Sequence, residues 1–189
     1  MYCGDDVSSV VLDIGSYQTR AGYSGEDCPR SILPSTVGVV KGGEDEAMDG
    51  ADEKKKNIVV GASELGHRRE NMEIHSIFDD DGMLKFDYLD AIIERSLEDS
   101  LRVNLLDTPI LFTESAVHNK EMRMKLTEYM FEKYKIPALF LVKDPVLSAF
   151  SCGRSSALVL DIGHKASIVT PVNDGYCLLK CLIKHDIGG

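Results

Sequence analysis

Val10-Val11-Leu12-Asp13-Ile14-Gly15 decides the fold, because the same pattern returns as Ala157-Leu158-Val159-Leu160-Asp161-Ile162-Gly163. Each copy is an apolar run that reads as a short buried strand, closed by an acid and, two residues on, a glycine. The acid therefore stands at a strand end. A carboxylate there can hold a hydrated Mg²⁺, and the glycine lets backbone N–H groups turn in against phosphate oxygens. A second strand-like stretch follows each copy, Arg20-Ala21-Gly22-Tyr23 after the first and Ser167-Ile168-Val169-Thr170 after the second.

One Asp-x-Gly alone reads as a strand and a tight turn and nothing more. Two matched hairpins, far apart in sequence, point to a duplicated device that grips a nucleotide's phosphate tail from both sides. Duplications of this kind are similar to those of the superfamily of actin, the sugar kinases and the heat-shock ATPases.

Composition narrows the classes. The 189 residues are 43% hydrophobic, enough for a real core in one domain or two small ones. A net charge of −10 argues against direct, specific DNA binding through a basic surface, so any work near DNA would need partners to supply the grip. The first residues, Met1 to Asp6, are polar and acidic and give no secretory signal. No apolar run is long enough to cross a bilayer, and no membrane partner is expected. The five cysteines (Cys3, Cys28, Cys152, Cys177, Cys181) are odd in number and lack a C-x-x-C pair. An extended stretch would hold Cys177 and Cys181 roughly 13 Å apart, too far for a disulfide or a shared metal. Reduced thiols in the cytosol or nucleus are the expectation.

Along the chain, strands are expected at Val10–Asp13, Arg20–Ser24 and Ser35–Val40, forming a meander. Arg20, the cation next to the first turn, either reaches a β- or γ-phosphate or is a solvated strand charge. Residues 41–57 hold clustered acids, lysines and glycines and read as a mobile charged loop. That loop is either a contact for a basic partner, an address signal or an undedicated insertion. Ile58-Val59-Val60 resumes order, and Asp79-Asp80-Asp81-Gly82 lacks the ligand alternation of an EF-hand and reads as a turn.

Three helices are expected next. Asp87 caps the first, with Leu89, Ile93, Leu97 and Leu101 on one stripe; the second starts near Asn119 and buries Met122, Leu126, Tyr129 and Met130. Asp144-Pro145 reads as the N-cap and N1 of the third, with Val146, Leu147 and Phe150 on its apolar side and Gly153 as its stop. Buried strands are placed at Pro109–Phe112 and Ala138–Val142, and strands at Ala157–Asp161, Ile168–Val172 and Tyr176–Leu182. Strands first, then strand and helix in alternation, imply an α/β fold with a mixed sheet and flanking helices.

Several long blocks carry a resemblance. They are Leu12 to Pro29, Thr113-Glu114-Ser115, Lys125 to Glu132, Ile136 to Lys143, and Val146 to Phe150 leading through Gly153-Arg154-Ser155 to Asp161. In order and spacing they resemble the actin family, most closely its nuclear actin-related protein 4 class, over nearly all the chain except 41–57. The resemblance implies the N-terminal half of an actin-like ATPase (ribonuclease H-like) fold, without the second half of the family fold. Residues 58–85 would be part of a small subdomain, and the second phosphate hairpin would begin at 157. It also implies structural ATP and Mg²⁺, with Asp13, Gly15, Ser16, Tyr17, Gln18 and Arg20 on one side and Asp161, Gly163, His164 and Lys165 on the other. Asp13 and Asp161 would face the metal.

The departures are as informative. Where actin positions its attacking water with a glutamine stands Asp144, and where it has a helper histidine stands Ile168. Losing positioned groups of this kind costs ~10²–10⁴-fold, so no catalytic residue is assigned. His164 and Lys165 replace an acid and a glycine of the family's second loop; Lys165 would add positive charge toward a phosphate, and His164 reads as a surface residue. The segment 41–57 replaces the loop with which actin grips its filament neighbour. The expectation is a hydrolytically weak or inactive, nuclear scaffold subunit of a chromatin-remodelling or histone-acetyltransferase complex. Its partners would be a helix of the remodelling ATPase, nuclear actin, other subunits and histone tails. The rival expectations are a working ATPase or phosphotransferase and a cytoskeletal protomer.

Overall fold

A computed structural model describes residues 9–40, 57–79, 82–117 and 120–189. The N-terminal run forms β1 (Val10–Ile14), whose burial alternates as period 2 demands, and hairpins back into β2 (Gln18–Tyr23). A third strand, β3 (Ser31–Pro34), pairs antiparallel with β2. It was not expected, because Pro29 and Pro34 punctuate so short a run that its two apolar residues show no period. The expected third strand belongs elsewhere: β4 (Thr36–Val40) lies between β5 (Asn57–Val60) and β6 (Met72–Ser76) in a separate three-stranded sheet. A short helix, α1 (Ala62–Gly66), packs there; a Cβ on Gly38 would meet its Leu65 and Met72 of β6. The charged segment expected over 41–57 lies outside the described residues up to residue 56.

The chain then returns to the main sheet. Helix α2 (Phe86–Ile93) continues without a break into a wider, π-helical stretch, Glu94–Ser100. Ser96 Oγ donates to the carbonyls of Ile92 (2.6 Å) and Ile93 (3.3 Å) where the helix widens. Lys85, not Asp87, caps α2, and Asp87 sits within the first turn, where a carboxylate still meets the positive end of the helix. The expected stripe is present: Leu89, Ile93 and Leu97 are wholly buried and Leu101 nearly so. Burying such side chains contributes ~1.5–3 kcal/mol each.

Two parallel strands extend the sheet beyond β1. They are β7 (Ile110–Glu114) and β8 (Leu139–Lys143), joined by α3 (Lys120–Glu132), and the order is β3-β2-β1-β7-β8. The sheet is therefore mixed. Met122, Leu126 and Met130 of α3 and Leu89, Ile92 and Ile93 of α2 pack with Val10, Leu12, Ile110 and Phe112 into one core, with Tyr129 partly buried against it. The expected start of α3 at Asn119 falls outside the described residues. β8 is not a buried strand. It is the sheet edge, and Phe140 is 63% exposed.

Helix α4 (Asp144–Ser151) leads into β9 (Ala157–Ile162) and β10 (Ser167–Asn173), the second hairpin. Val146 and Ala149 of α4 bury against Val172, whereas Phe150 is half exposed because it lies over the next turn, where a Cβ on Gly175 would approach its ring to 3.0 Å. The expected strand Tyr176–Leu182 is broken. It resolves into β11 (Tyr176–Cys177), a single 3₁₀ turn at Leu179–Cys181 and β12 (Ile183–His185), because Cys181 N donates to Leu178 O (2.9 Å) and Leu182 N to Leu179 O (3.3 Å). Cys177 and Cys181 are therefore not on one extended strand, and both are free, as are Cys28 and Cys152. Burial, with Asp144 nearby, pushes the Cys177 thiol up, so it stays protonated. No helix is long and apolar enough to cross a membrane among the described residues.

Candidate phosphate cleft between two matched turns

The two hairpins close with the same geometry. In the first, Ile14 pairs Thr19 and Gly15 N donates to Gln18 O at 3.0 Å; in the second, Ile162 pairs Ser167 and Gly163 N donates to Ala166 O at 3.0 Å. Four residues make each turn. Space is tight at the first glycine, where a Cβ would stand 3.0 Å from Gln18 O, and ordinary at the second, where it would stand 3.4 Å from Ala166 O.

All ten residues expected at the site line one cleft of about 1360 Å³: Asp13, Gly15, Ser16, Tyr17, Gln18 and Arg20 with Asp161, Gly163, His164 and Lys165. The cleft opens at the carboxyl ends of the parallel strands β1, β7 and β8, where open α/β sheets hold their ligands. The ring of Tyr17 touches that of His164 across it, with centroids 5.3 Å apart. His164 is exposed, as expected of a surface residue, and also makes a contact between the turns.

Individual side chains are held in different ways. Asp13 Oδ1 accepts a 2.6 Å bond from Thr113 Oγ1, and its Oδ2 lies 3.4 Å from Arg20 Nη1. Arg20 is therefore partnered by the acid opposite it in the hairpin, and half its side chain stays open to the cleft. Lys165 leans away from the turn: its Nζ donates to Asp79 O (3.3 Å) and sits over the Phe78 ring. Asp79 in turn caps a local turn, with Met83 N donating to its Oδ1 at 2.6 Å and Gly82 N to its carbonyl. The turn expected at 79–82 is there, with Asp80 and Asp81 outside the described residues.

Asp144 is the main correction. It does not cap α4; Lys143 holds the cap position in extended geometry, and Asp144 is the first helical residue. Its Oδ1 is buried with no hydrogen-bond partner. Burial, with Asp161 and then Asp13 adding like charge, pushes its carboxyl up to about 7, against the opposing effect of a backbone hydrogen bond from Ala116. Each of Asp13, Asp144 and Asp161 ends or follows an apolar strand, the signal by which Asp144 could have been assigned to the cleft. Thr113 was missed for a related reason: only the parallel pairing of β1 with β7 brings it to Asp13.

Beneath the cleft, Glu114 is 3% exposed yet accepts from Arg123 Nη1 (2.5 Å) and lies 3.4 Å from Lys143 Nζ. Lys143 also donates to Ser115 O at 3.0 Å. This clamp fixes the ends of β7 and β8 that carry Thr113 and Asp144.

The cleft fits a phosphate tail by its paired glycine turns and by the cations that line it, Arg20, Lys165 and Lys184, whereas the buried Asp144 carboxyl adds no donor to a phosphate unless it is protonated. The cleft also fits a Mg²⁺ held mostly by water and phosphate, as that ion prefers. Among the described residues no three His, Cys, Asp or Glu side chains come together as a metal cage.

Comparison with known proteins gives the family. The actin family model matches residues 4–189. The whole chain is 37% identical to actin-related protein 4 of Arabidopsis thaliana, and covers 47% of that relative. It is 38% identical to actin-related protein 4 of Oryza sativa subsp. indica, again over the whole chain and 47% of the relative. With the Candida albicans protein of the same name the identity is 36% over the whole chain and 38% of the relative. The chain thus spans about half or less of the length of the relatives it matches. A mixed sheet with flanking helices, two matched glycine turns on one cleft and a family match over almost every residue lead to one conclusion: the chain belongs to the actin family.

Proposed function

We propose that the chain is a non-catalytic, nuclear actin-related subunit that binds ATP–Mg²⁺ structurally and serves as a scaffold in a chromatin-remodelling or histone-acetyltransferase complex. The observation that carries the nucleotide reading is the pair of identically closed turns facing one cleft. The bound nucleotide would supply a polyanion that draws the two hairpins together. Gly15 and Gly163 would give the backbone close approach, Arg20 and Lys165 would offset charge once they leave their present partners, Asp13 and Asp79 O, and Asp13 and Asp161 would face the hydrated metal.

Asp144 supports weak or absent hydrolysis. An acid buried against two others is a poor group for holding an attacking water next to a polyphosphate, and Ile168, 8% exposed, offers no proton-transfer group. Similarity to actin-related protein 4 over the whole chain supports the complex-subunit reading, with a remodelling-ATPase helix, nuclear actin, neighbouring subunits and histone tails as partners.

The test is to purify the protein, tagged at its N-terminus, from nuclear extract and identify co-purifying polypeptides by mass. Remodelling ATPase and actin in near-equal amounts are expected. Cytoskeletal proteins alone, or phosphate release at an actin-like rate by the purified protein, would refute the scaffold reading.

A further inference from the structure

The two phosphate turns are each tied from outside at the same position. Thr19, the first strand residue after the first turn, shares a buried 2.9 Å hydrogen bond with Ser35 Oγ, while Ser35 N donates to Tyr17 O at 2.9 Å. Ser167 stands at the equivalent place after the second turn and donates to Ile187 O at 2.7 Å. Gly189 N donates to Gly163 O at 2.9 Å, and His164 Nδ1 lies 3.4 Å from Gly189 O. Residues 187–189 therefore run as backbone along the second turn.

Gly188 is the point of closest approach. A Cβ there would stand 2.1 Å from His164 O, 2.6 Å from His164 C and 2.7 Å from Gly163 O. All three are backbone atoms, which cannot swing aside as a side chain can. An alanine at 188 must displace either its own segment or the turn, and in both cases the Ser167 and Gly189 bonds are lost.

We infer that Gly188 and Ser167 are positioning residues of the second phosphate turn, holding Gly163-His164-Lys165 in the orientation that meets a phosphate. This rests on the nucleotide-binding reading above and adds the support on which one half of that site depends. Neither residue need touch the ligand.

The experiment compares Mg·ATP affinity, by calorimetry well below the melting temperature, for the wild-type protein, Gly188→Ala, Ser167→Ala and Gly66→Ala. Gly66 is the control, since a Cβ there meets nothing within 4 Å. Amide hydrogen exchange is followed over residues 160–167, with residues 12–19 as the internal reference. Gly188→Ala and Ser167→Ala are expected to weaken binding about tenfold or more, the size of a lost charge-assisted hydrogen bond. Exchange should quicken at the second turn alone. Wild-type affinity in both variants, or faster exchange throughout the chain, would overturn the inference. No binding by the wild-type protein would instead overturn the nucleotide reading itself.

Discussion

Asp144 concentrates the chemistry of this chain in one carboxyl group. Its folded-state pKa is about 7, above the ordinary 3.8, so the folded protein holds a proton that the unfolded chain releases. Stability from that proton is complete below about pH 4 and is lost as pH rises through 7. Asp144→Asn, which never ionises, should therefore gain on the wild-type protein in urea midpoint from pH 5 to pH 7 and hold a constant lead above it. That lead should be on the order of a few kcal/mol before solvent screening reduces it. Parallel pH curves for the two proteins would show that the acid is not buried as described. A second residue-scale prediction concerns Glu114, whose carboxylate sits between Arg123 and Lys143 at 3% exposure. Glu114→Ala leaves two cations without their partner and should cost ~3–5 kcal/mol in chemical denaturation. A loss under ~1 kcal/mol would mean that water already screens the cluster.

At the scale of elements, α2 and α3 are locked through one carboxylate. Asp90 of α2 accepts from the hydroxyls of Tyr129 and Tyr134, the latter at 2.6 Å, and from Lys133. Burial first, then Asp90, pushes both phenols well above their ordinary value. Tyr134→Phe should cost ~1–2 kcal/mol and Asp90→Ala more, since the alanine strands two partly buried hydroxyls. Equal losses for the two variants would argue against a shared acceptor.

The same elements show which parts of the fold the sequence reveals. The duplicated Asp-x-Gly strands, the α2 stripe and the buried methionines of α3 are strong periodic or repeated signals, and the structure has each of them. The third strand was misplaced because a short run between prolines carries no period, and because nothing local distinguishes β4's pairing with β5 and β6 from a pairing with β2. Asp144 was read as a cap because Asp-Pro before an apolar run is the usual helix start; its burial depends on Asp161 and Asp13, remote in sequence. Within the site, residue identities could be read from the motif. Which neighbour each one touches, such as Thr113 on Asp13 or Asp79 O on Lys165, depends on strand pairing and loop packing that no short motif encodes.

The whole molecule carries two unequal cores. The larger joins the main sheet to α2 and α3, whereas the smaller gathers Val146, Ala149 and Val172 beneath α4. Along β9, an edge strand, Leu158, Leu160 and Ile162 are 71%, 60% and 63% exposed, with Ile183 of β12 nearby through the register of β10. A flat apolar edge of this kind favours association between chains. Leu160→Lys should raise the monomer fraction in light scattering without lowering the melting temperature. An unchanged monomer fraction would show that this edge is not the contact.

The most direct test of the two-turn site is a Mg·ATP titration of the wild-type protein beside Gly15→Val and Gly163→Val. If both turns grip one phosphate tail, the wild-type protein binds at a single site and either substitution alone weakens binding at least about tenfold. Binding that survives one of the two substitutions, or no binding by the wild-type protein, would contradict it.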